Sequence, residues 1–452
     1  MRYPTVREHR RAAARSAQAG DLLEQVREAG RSAGLDVLRI ADAAPFLETR
    51  AHLEQRKAAG MHGGMAFTYR RPERSTDPSL ALPGARTLVV GARSYLPEDA
   101  RPDGVVAAPH GAEDPAAEDP AAERAAERAA AQGAFGDADG PIPRGRIARS
   151  ARRDEYALLK AGLAAVGRCL KAEGYRARVL ADDNALVDRA AAYRAGIGWW
   201  GKNTLIILPG LGSWFVLGSV LTDAVLTPDP GPLADRCGRC FRCAPACPTG
   251  AIVAPGVLDA RRCLSWLLEA PGAIPREVRE AVGDRIYGCD ACQEACPPNR
   301  AAALRATRVD LGRSRQVRPV GVSDGPSDGG SDGGPSGRDG EEDRALDLVE
   351  MVHATDAELL ARYGHFYLAG RDPALLRRNA LVALGNVARG SDARVAGALR
   401  VALQSPAPMV RAHAVWAAGR LGRADLLSGP VLRHESDPAV RDELAALPPP
   451  RR

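Results

Sequence analysis

Eight of the nine cysteines in this 452-residue chain lie between residues 237 and 296, and their spacing constrains the fold more than any other feature. The first run, CGRCFRCAPACP at 237–248, has the pattern Cys-x2-Cys-x2-Cys-x3-Cys-Pro. The second run, at 289–297, is Cys-x2-Cys-x3-Cys-Pro, and Cys263 lies between the two runs. In a reducing compartment, cysteines grouped in this way indicate metal ligation more than disulfide bonding.

The spacing is typical of cubane iron–sulfur clusters. A [4Fe–4S] cluster takes four thiolates, two-residue gaps let one loop turn three of them toward the same cluster, and the fourth, before proline, serves a second cluster. The pattern predicts two cubanes with crossed ligands: Cys237, Cys240, Cys243 and Cys296 for one, and Cys247, Cys263, Cys289 and Cys292 for the other. Two structural zinc ions are the alternative, although zinc favours paired C-x2–4-C knuckles. Adjacent cubanes predict electron transfer without indicating what is reduced.

The overall composition is that of an ordinary globular protein. The chain is 45% hydrophobic and 26% charged, with a formal net charge of +6. This mildly basic balance is compatible with a nucleic-acid partner. No apolar run approaches the roughly 18 residues of a membrane span. Arg10 and Arg11 are not followed by the apolar stretch of an export signal, so we expect a cytoplasmic protein.

Composition and periodicity predict five segments. They are an N-terminal arm at 1–19, a mixed helix and strand segment at 20–230 that contains a low-complexity Ala/Glu/Pro insert at 98–143, the cysteine segment at 231–305, a flexible linker at 306–345, and a helical segment at 346–447. The insert and the linker have too few large apolar residues to bury a core. We therefore expect both to be disordered.

Local patterns predict individual elements. RTLVVGA at 86–92 and RARVLAD at 176–182 are expected strands, the second with acidic residues at its end. Apolar residues recur at helical spacing at Tyr156, Leu159, Leu163, Val166 and Leu170. Cys169 lies beside that stripe and is expected to be an inert buried thiol. AGIGWWGKNTLIIL at 195–208 predicts a glycine-rich turn that runs into a strand.

The C-terminal segment repeats. RRNALVALG at 377–385 and RAHAVWAAG at 411–419 align with a period of 34 residues. Each is expected to be a short helix with small residues where it packs. Stacked helix pairs of the solenoid type are predicted, and an ordinary pair of helical hairpins is the alternative.

Several long stretches of this chain are distinctive. They are RPERSTDPSLALPGARTLVV, AGIGWWGKNTLIIL, GSWFVLGSVLTD, CGRCFRCAPACPTGAI, LDARRCLSWLLEAPGAIPREVREAVGDRIYGCDACQEACPPNR and RRNALVALGN. In this order they resemble the epoxyqueuosine reductase family. The resemblance spans roughly 20–97, 144–300 and 345–440, and omits the insert and the linker.

The resemblance implies both a fold and a reaction. The fold is α+β, with a cobalamin-binding α/β catalytic domain at 20–230, an inserted bacterial-ferredoxin-like double [4Fe–4S] domain and a C-terminal HEAT-like repeat. The reaction removes the epoxide oxygen of epoxyqueuosine at the wobble position of tRNA, giving queuosine, with two [4Fe–4S] clusters and cobalamin as cofactors. A monomer that binds the tRNA anticodon stem-loop and takes electrons from a low-potential donor such as ferredoxin or flavodoxin is expected.

The resemblance also implies roles for individual residues. An acid at the end of a strand protonates the departing oxygen in this family, and the matching stretch VLADDNALVDRAAAYRAGIG places it at Asp182. A plain turn at the strand end is the alternative. Asp183 follows where Ser or Thr is usual; it would either raise the pKa of Asp182 or cap the next helix.

Further residues are matched in the same way. The residues expected to contact cobalamin are Asp182, Arg74, Asn203, Ser265 and Asp290, and those expected to contact RNA or cofactor phosphate are Arg189 and Lys202. Three arginines of the helical segment are expected to face either tRNA phosphates or solvent: Arg377, Arg378 and Arg411.

Other functions remain open at this point. A reductive dehalogenase also combines cobalamin with two cubanes, but it typically has a twin-arginine signal and no HEAT-like repeat. A ferredoxin-like electron carrier on a protein-binding scaffold explains the cysteines but not residues 144–235. The segment RSARRDEYA at 149–157 departs from the family pattern at Ser150 and Ala157, so a related enzyme with another substrate is a further hypothesis.

Overall fold

The structure is a computed structural model that describes residues 20–96, 141–315, 345–428 and 430–447. The predicted arm at 1–19 lies outside these ranges, as do nearly all of the insert and most of the linker. Within them, none of the helices combines the length and the apolar character that crossing a bilayer requires.

Strands and helices alternate along the first two thirds of the described chain, and helices dominate the last third. The strands are β1 Val37–Asp42, β2 Thr87–Ser94, β3 Arg144–Ile147, β4 Ala177–Leu180, β5 Trp199–Trp200, β6 Ile206–Ile207, β7 Phe215–Thr222, β8 Ile252–Ala254, β9 Val257–Leu258, β10 Arg285–Tyr287 and β11 Ala345–Asp347. The helices are α1 20–32, α2 Leu47–Ala58, α3 Pro72–Ser75, α4 Pro78–Ala81, α5 Glu155–Ala172, α6 Asp188–Arg194, α7 Leu264–Glu269, α8 Arg276–Val282, α9 Ala291–Glu294, α10 Pro297–Arg315, α11 Leu348–His353, α12 Asp356–Tyr363, α13 Ala374–Val387, α14 Ala393–Leu403, α15 Pro408–Arg420, α16 Pro430–Arg433 and α17 Pro438–Ala445.

The described residues form two compact units that do not follow the predicted segment order. The first unit contains residues from 20–96, 152–261 and 290–315, and the second contains those from 141–151, 262–289 and 345–447. The middle of the cysteine segment thus belongs with the C-terminal helices, because β3, β10 and β11 pair in one sheet. The predicted linker also begins later than expected, since α10 continues to Arg315.

The first unit is built on a sheet of four strands in the order β1-β2-β7-β4. The central strands β2 and β7 are buried along their whole length. Alternate residues of β2 enter two cores on opposite faces, with Leu88 and Val90 in one and Val89 in the other. The mixed helix and sheet class is confirmed. However, each neighbouring pair of strands in this sheet is antiparallel, whereas the predicted α/β domain would have parallel strands. The sheet is therefore buried on both faces without the β-α-β crossovers that cover a parallel sheet.

Helix α5 covers one face of this sheet. Four of the five residues of its predicted apolar stripe are fully buried, whereas Tyr156 is exposed. Leu163 lies over Gly91 and Gly218, which are partners across β2 and β7. A Cβ atom at Gly91 would come within 2.9 Å of the Leu163 side chain, and one at Gly218 within 2.7 Å. The two glycines therefore allow the helix to pack closely on the sheet.

The segment predicted as a turn and a strand is a small hairpin. Strands β5 and β6 pair through Trp199 with Ile207 and Trp200 with Ile206. The Gly201 N–H donates to the Leu205 carbonyl at 2.7 Å. The prediction had only the second strand, because a two-residue strand before a glycine leaves little periodicity to detect.

The second unit combines a three-strand sheet, in the order β10-β3-β11, with packed helices. The two predicted repeat units correspond to α13 and α15, which pack together, and α15 packs in turn on α17. A Cβ at Gly385 on α13 would come within 2.5 Å of the Trp416 ring on α15, and one at Gly419 would collide with Leu447 after α17. Equivalent glycines thus permit equivalent close contacts one repeat apart.

Candidate functional site

The first cysteine run forms a series of tight turns in the first unit. The Cys240 N–H donates to the Cys237 carbonyl at 2.8 Å, and the Cys247 N–H donates to the Ala244 carbonyl at 3.2 Å. The Cys237 N–H also donates to Asp235 Oδ1 at 2.8 Å. Turns of this kind bring closely spaced cysteines to one cluster.

Cys296 follows the short helix α9 and lies with the first run. It is buried and packs in one apolar group with Trp199 and Cys237. The pKa of its thiol is raised to about 12: burial is the largest cause, charge repulsion from Cys237, Cys243 and Cys240 adds to it, and a hydrogen bond from the Asn299 backbone opposes it. The structure therefore brings together the four cysteines predicted for one cubane. Iron bound there would hold them as thiolates, because a coordinated thiol is deprotonated outright.

Cys247 has a different environment in the same unit. Burial alone would raise its pKa, but hydrogen bonds from the backbone of Thr249, Ala251 and Ile252 and from the Thr249 hydroxyl outweigh that effect and lower it. The Ala251 N–H lies 3.2 Å from the Cys247 sulfur. N–H donors stabilise the thiolate, which is the form that binds metals.

The remaining cysteines occupy several positions. In the second unit, Cys263 immediately precedes α7, and Cys289 packs against the apolar group that contains Leu264 and Leu268. Cys169, outside the runs, is half-buried instead of fully buried as predicted, and burial and Glu173 raise the pKa of its thiol. Across the described ranges, no three His, Cys, Asp or Glu side chains meet where one metal ion would sit; a cubane spreads its thiolates over several iron atoms.

Asp182 lies directly after β4, in an unusual backbone conformation. Its φ is +51°, in the left-handed region that residues other than glycine seldom adopt. Although the residue as a whole is exposed, desolvation of its carboxyl group raises its pKa; Lys160 opposes this and Asp183 adds to it. Strained backbone and a perturbed carboxyl pKa are frequent at functional sites.

Asp183 supports this turn, but it does not cap the next helix as one of the two sequence alternatives had it, because α6 begins at Asp188 with Val187 as its N-cap. Its Oδ1 accepts the Ala185 N–H at 2.8 Å, and its carbonyl accepts the Leu186 N–H at 3.3 Å. It also raises the pKa of Asp182 by charge repulsion. We call residues 182–188 the acid turn.

Asp188 is a member of the acid turn that the sequence did not reveal. Its Oδ1 is buried and has no hydrogen-bond partner among the described residues. The Asp182 N–H donates to its carboxylate. Burial raises the pKa of Asp188 well above its usual value, Asp182 and Asp183 raise it further, and Arg189 opposes them. The signal in the sequence was an acidic residue beside the alanines at the start of α6. An acidic residue at this position is also common where the side chain only faces solvent and stabilises the helix start, so the pattern did not indicate a functional residue.

The residues predicted to contact cobalamin lie in several places. Arg74 is an exposed residue of α3, and its neighbour Ser75 donates to the Asn184 carbonyl of the acid turn at 2.6 Å. Asn203 is buried in the turn between β5 and β6; its Oδ1 accepts the Leu205 N–H at 3.3 Å. The Asn203 Nδ2 is buried and has no partner among the described residues, so it is a donor available to a bound group.

Asp290 and Ser265 make local hydrogen bonds. Asp290 Oδ1 accepts from Gln293 Nε2 at 2.8 Å, and the Gln293 Oε1 accepts from the Ser213 hydroxyl at 2.8 Å. In the second unit, the Ser265 hydroxyl lies 3.5 Å from Glu269 Oε1 on the same helix. Neither arrangement tests the predicted cofactor contacts.

The two predicted phosphate contacts differ. Arg189 is exposed, and its Nη1 lies 3.4 Å from the Thr204 carbonyl. Lys202 Nζ donates to the carbonyls of Gly238 and Cys240, at 2.6 and 2.8 Å. Arg189 thus has most of its donors facing solvent, whereas Lys202 is bound to the first cysteine run.

The three arginines of the helical segment have structural partners. Arg378 is 1% exposed and donates to the carbonyls of Leu267, Leu268, Ala270 and Gly272. Arg377 pairs with Asp356 at 2.6 Å. Arg411 forms a two-pronged pair with Glu435, at 2.7 and 2.9 Å. Arg378 was expected to face either tRNA phosphate or solvent. That prediction is wrong, because its side chain is buried and contacts neither.

Comparison with known proteins agrees with this arrangement. Residues 236–299 match the family described as a 4Fe-4S double cluster binding domain. Epoxyqueuosine reductase of Pseudomonas aeruginosa is 32% identical over 407 residues, covering 89% of this chain and 95% of the relative. The enzyme of the same name from Bacillus subtilis is 30% identical, covering 94% and 90%.

Solved structures are similar over nearly the whole chain. A crystal structure of epoxyqueuosine reductase with an epoxyqueuosine-modified tRNA-Tyr stem loop is 27% identical, has a TM-score of 0.72 and covers 94% of this chain and 98% of its own. A Bacillus subtilis structure with its catalytic aspartate loop swung out of the active site has the same identity, TM-score and coverage. With relatives of this identity matched along nearly their full length, the chain belongs to the epoxyqueuosine reductase family.

Proposed function

We propose that this chain is an oxidoreductase that reduces epoxyqueuosine to queuosine in tRNA. The observation that carries the proposal is the full-length match to enzymes named for this reaction, one of them solved with a modified tRNA stem loop. Two epoxide C–O bonds break and a C=C bond forms; two electrons and two protons enter, and one water leaves. The protein must therefore supply electrons one at a time and at least one positioned acid.

The electrons would pass through two [4Fe–4S] clusters. The gathered thiols of Cys237, Cys240, Cys243 and Cys296 support the first, and the crossed pattern assigns the second to Cys247, Cys263, Cys289 and Cys292. The donors around the Cys247 sulfur also fit a thiolate ligand. A low-potential donor such as ferredoxin or flavodoxin would supply the electrons.

The family is cobalamin-dependent, and residues of the first unit fit such a group. Asn203 presents a buried donor that lacks a partner, and Arg74 is an exposed cation on the helix joined to the acid turn. Asp290, in the same unit, would add a further contact, and the contact expected of Ser265 stays a prediction from the sequence. When bound, cobalamin supplies a cobalt centre that exchanges electrons and meets the reacting substrate.

Asp182 would donate the proton to the departing oxygen. Desolvation favours its neutral form, which is the form that can donate. The left-handed turn and the hydrogen bond from its N–H to Asp188 hold the residue in place. A relative with its catalytic aspartate loop swung out suggests that such a turn moves during the reaction cycle.

Further assignments complete the proposal. Residues 346–447 would be a HEAT-like repeat, supported by the equivalent contacts of Gly385 and Gly419. Residues 20–230 would supply most of the catalytic domain, 231–305 the cluster domain, and the chain would act as a monomer in the cytoplasm, where its tRNA substrate is. Arg189, which is exposed, and Lys202 would contact tRNA phosphate.

The alternative functions make different demands. An electron carrier would need neither an acid nor a cofactor donor, yet the acid turn and Asn203 provide both. A reductase of another substrate, including a halogenated one, is the hypothesis raised by the departure of 149–157 from the family pattern. In that segment Arg153 and Glu155 form an ion pair at 2.7 Å. A substrate test separates these possibilities.

The test is anaerobic turnover of the reconstituted full chain with cobalamin, a low-potential reductant and an epoxyqueuosine-bearing anticodon stem-loop, followed by mass spectrometry of the nucleosides. Loss of one oxygen supports the proposal. Failure by protein shown to hold both clusters and cobalamin would overturn the proposed substrate. An unmodified stem-loop is the control for background signal.

A further inference from the structure

We propose that Lys202 is a positioning residue that raises the reduction potential of the first cluster. This deepens the electron-transfer part of the proposed function and rests on its assignment of Cys237, Cys240, Cys243 and Cys296 to one cubane. The observation is the placement of the Lys202 ammonium on the loop that carries three of those cysteines.

The contacts of Lys202 are specific to the ligand loop. Its Nζ donates to the Gly238 carbonyl at 2.6 Å and to the Cys240 carbonyl at 2.8 Å. The same nitrogen lies 4.8 Å from the centroid of the Phe241 ring, within range of a cation–π interaction. Three contacts from one ammonium group therefore fix its charge beside the loop.

The hairpin that carries Lys202 also packs on the first cluster's cysteines. Trp199 and Ile207, which are partners across β5 and β6, form one apolar group with Cys296 and Cys237. Trp199 Nε1 is buried with no partner among the described residues, so it is a donor available to a cluster sulfur. This apolar group lies on the cysteines, whereas the two hydrogen bonds of Lys202 lie in exposed surroundings; the effect of Lys202 therefore depends on how closely its charge is fixed to the loop.

A fixed positive charge at this position has a defined effect on a cluster. Reduction adds one negative charge, so an adjacent ammonium stabilises the reduced state more than the oxidised state. Net charge, hydrogen bonding and solvent exposure are the variables that set [4Fe–4S] potentials. The other charged residues around the loop are Asp235, Arg236, Arg239 and Arg242, and all four are exposed. Asp235, which accepts the Cys237 N–H at 2.8 Å, opposes the effect of Lys202, and solvent and salt weaken exposed charges.

The test is a potentiometric titration of the anaerobically reconstituted full chain, followed by electron paramagnetic resonance, with iron and sulfide content measured on each sample. Lys202→Gln removes the charge and keeps a donor, and Lys202→Arg keeps the charge. Arg239→Gln is the matched control, since it makes the same change in net charge on an exposed side chain of the same loop.

We expect Lys202→Gln to shift one of the two midpoint potentials to a more negative value and to leave the other in place. Lys202→Arg should titrate like the unmodified chain, and Arg239→Gln should shift less than Lys202→Gln. A Lys202→Gln titration identical to the unmodified chain, equal shifts of both clusters, or an equal shift in Arg239→Gln would overturn the proposal.

Two further outcomes are also decisive. If Lys202→Gln fails to load iron, Lys202→Arg decides the matter: an unchanged potential supports the role of charge, and a negative shift overturns it. If the unmodified chain itself holds only one cluster after reconstitution, the cluster assignment fails and this inference fails with it. If the variants shift as expected but the unmodified chain, with both clusters and cobalamin bound, does not turn over epoxyqueuosine, the proposed substrate is overturned and the role of Lys202 stays supported.

Discussion

The two units both enclose charged groups, but they satisfy them differently. In the second unit, the buried Arg378 guanidinium donates to four carbonyls and to Asn379 Oδ1. In the first, the buried Asp188 Oδ1 has no partner among the described residues. A buried charge with every donor used stabilises a fold, whereas one left unsatisfied marks a place where a proton, a ligand or a movement completes the structure.

The pKa shifts follow the same division. Burial lowers the pKa of Arg378 to about 10, although Asp372 opposes this, so the guanidinium remains charged at neutral pH. Burial instead drives Asp188 toward its neutral form. We therefore expect proton transfer at the acid turn, and a purely structural role for Arg378.

The largest effect is expected at the acid turn. Asp182→Asn keeps the shape of the side chain and removes its proton, so turnover of the stem-loop should fall by about 10²–10⁴-fold. Iron content and cobalamin binding should be unchanged. Rates are measured in the anaerobic assay with saturating reductant, and an Asp182→Asn enzyme as fast as the unmodified one would rule out this acid.

The next effect concerns Arg378. Arg378→Met leaves four buried carbonyls without their donor and should lower the free energy of unfolding by about 3–5 kcal/mol, as when one partner of a buried charged network is removed. Arg377→Met, on the same helix, removes the ion pair with Asp356 and a hydrogen bond to the Ala354 carbonyl and should cost less, about 1–2 kcal/mol. Urea unfolding measures both variants, and equal losses would contradict the contrast.

His413 should give the second unit a dependence on acid. Burial, followed by Arg279 and Arg378, lowers its pKa from 6.5 to about 3. The unfolded chain therefore binds a proton that the folded chain does not, and stability is lost as pH falls below 6.5, by up to about 1.4 kcal/mol per pH unit. His413→Gln should remove this slope in unfolding measured between pH 7.5 and 5.5; parallel curves for the two proteins would refute it.

Asp188 should give the first unit the opposite dependence. Because its folded pKa is raised above the usual 3.8, the folded chain binds the extra proton, and stability is lost as pH rises above that value. Asp188→Asn keeps an acceptor for the Asp182 N–H and has no proton to lose, so it should gain stability relative to the unmodified chain as pH rises. Melting temperatures of both proteins at several pH values measure this, and a constant difference would contradict it.

The sequence predicted the parts of the site that depend on local spacing. The gathering of Cys296 with the first run follows from the cysteine–proline pattern, and the position of Asp182 follows from a strand end. Asp188 was missed because an acid at a helix start is favoured in solution as well. Arg377 and Arg378 show the same limit, since of two adjacent identical residues on one helix the first is partly exposed and pairs with Asp356, whereas the second is buried and binds only groups of the protein.

Domain membership was harder to predict than the elements themselves. The strands around Val89 and Val179 and the helix around Leu163 were found from periodicity alone. That residues 262–289 join the C-terminal helices depends on partners far along the chain, such as the pairing of β3 with β10 and β11. Periodicity reports which face of an element is apolar, and it does not identify the surface that covers that face.

The carbonyls bound by Arg378 have a consequence for how the chain is made. Arg378 follows Ala270, one of its partners, by 108 residues. At about 5–20 residues per second, a ribosome adds that length in roughly 5–20 s. During this interval the segment at 262–289 has emerged but lacks the guanidinium that completes it, so its carbonyls depend on water. A nascent chain stalled before α13 would expose this segment to proteases, which makes the second unit the last part of the protein to become resistant.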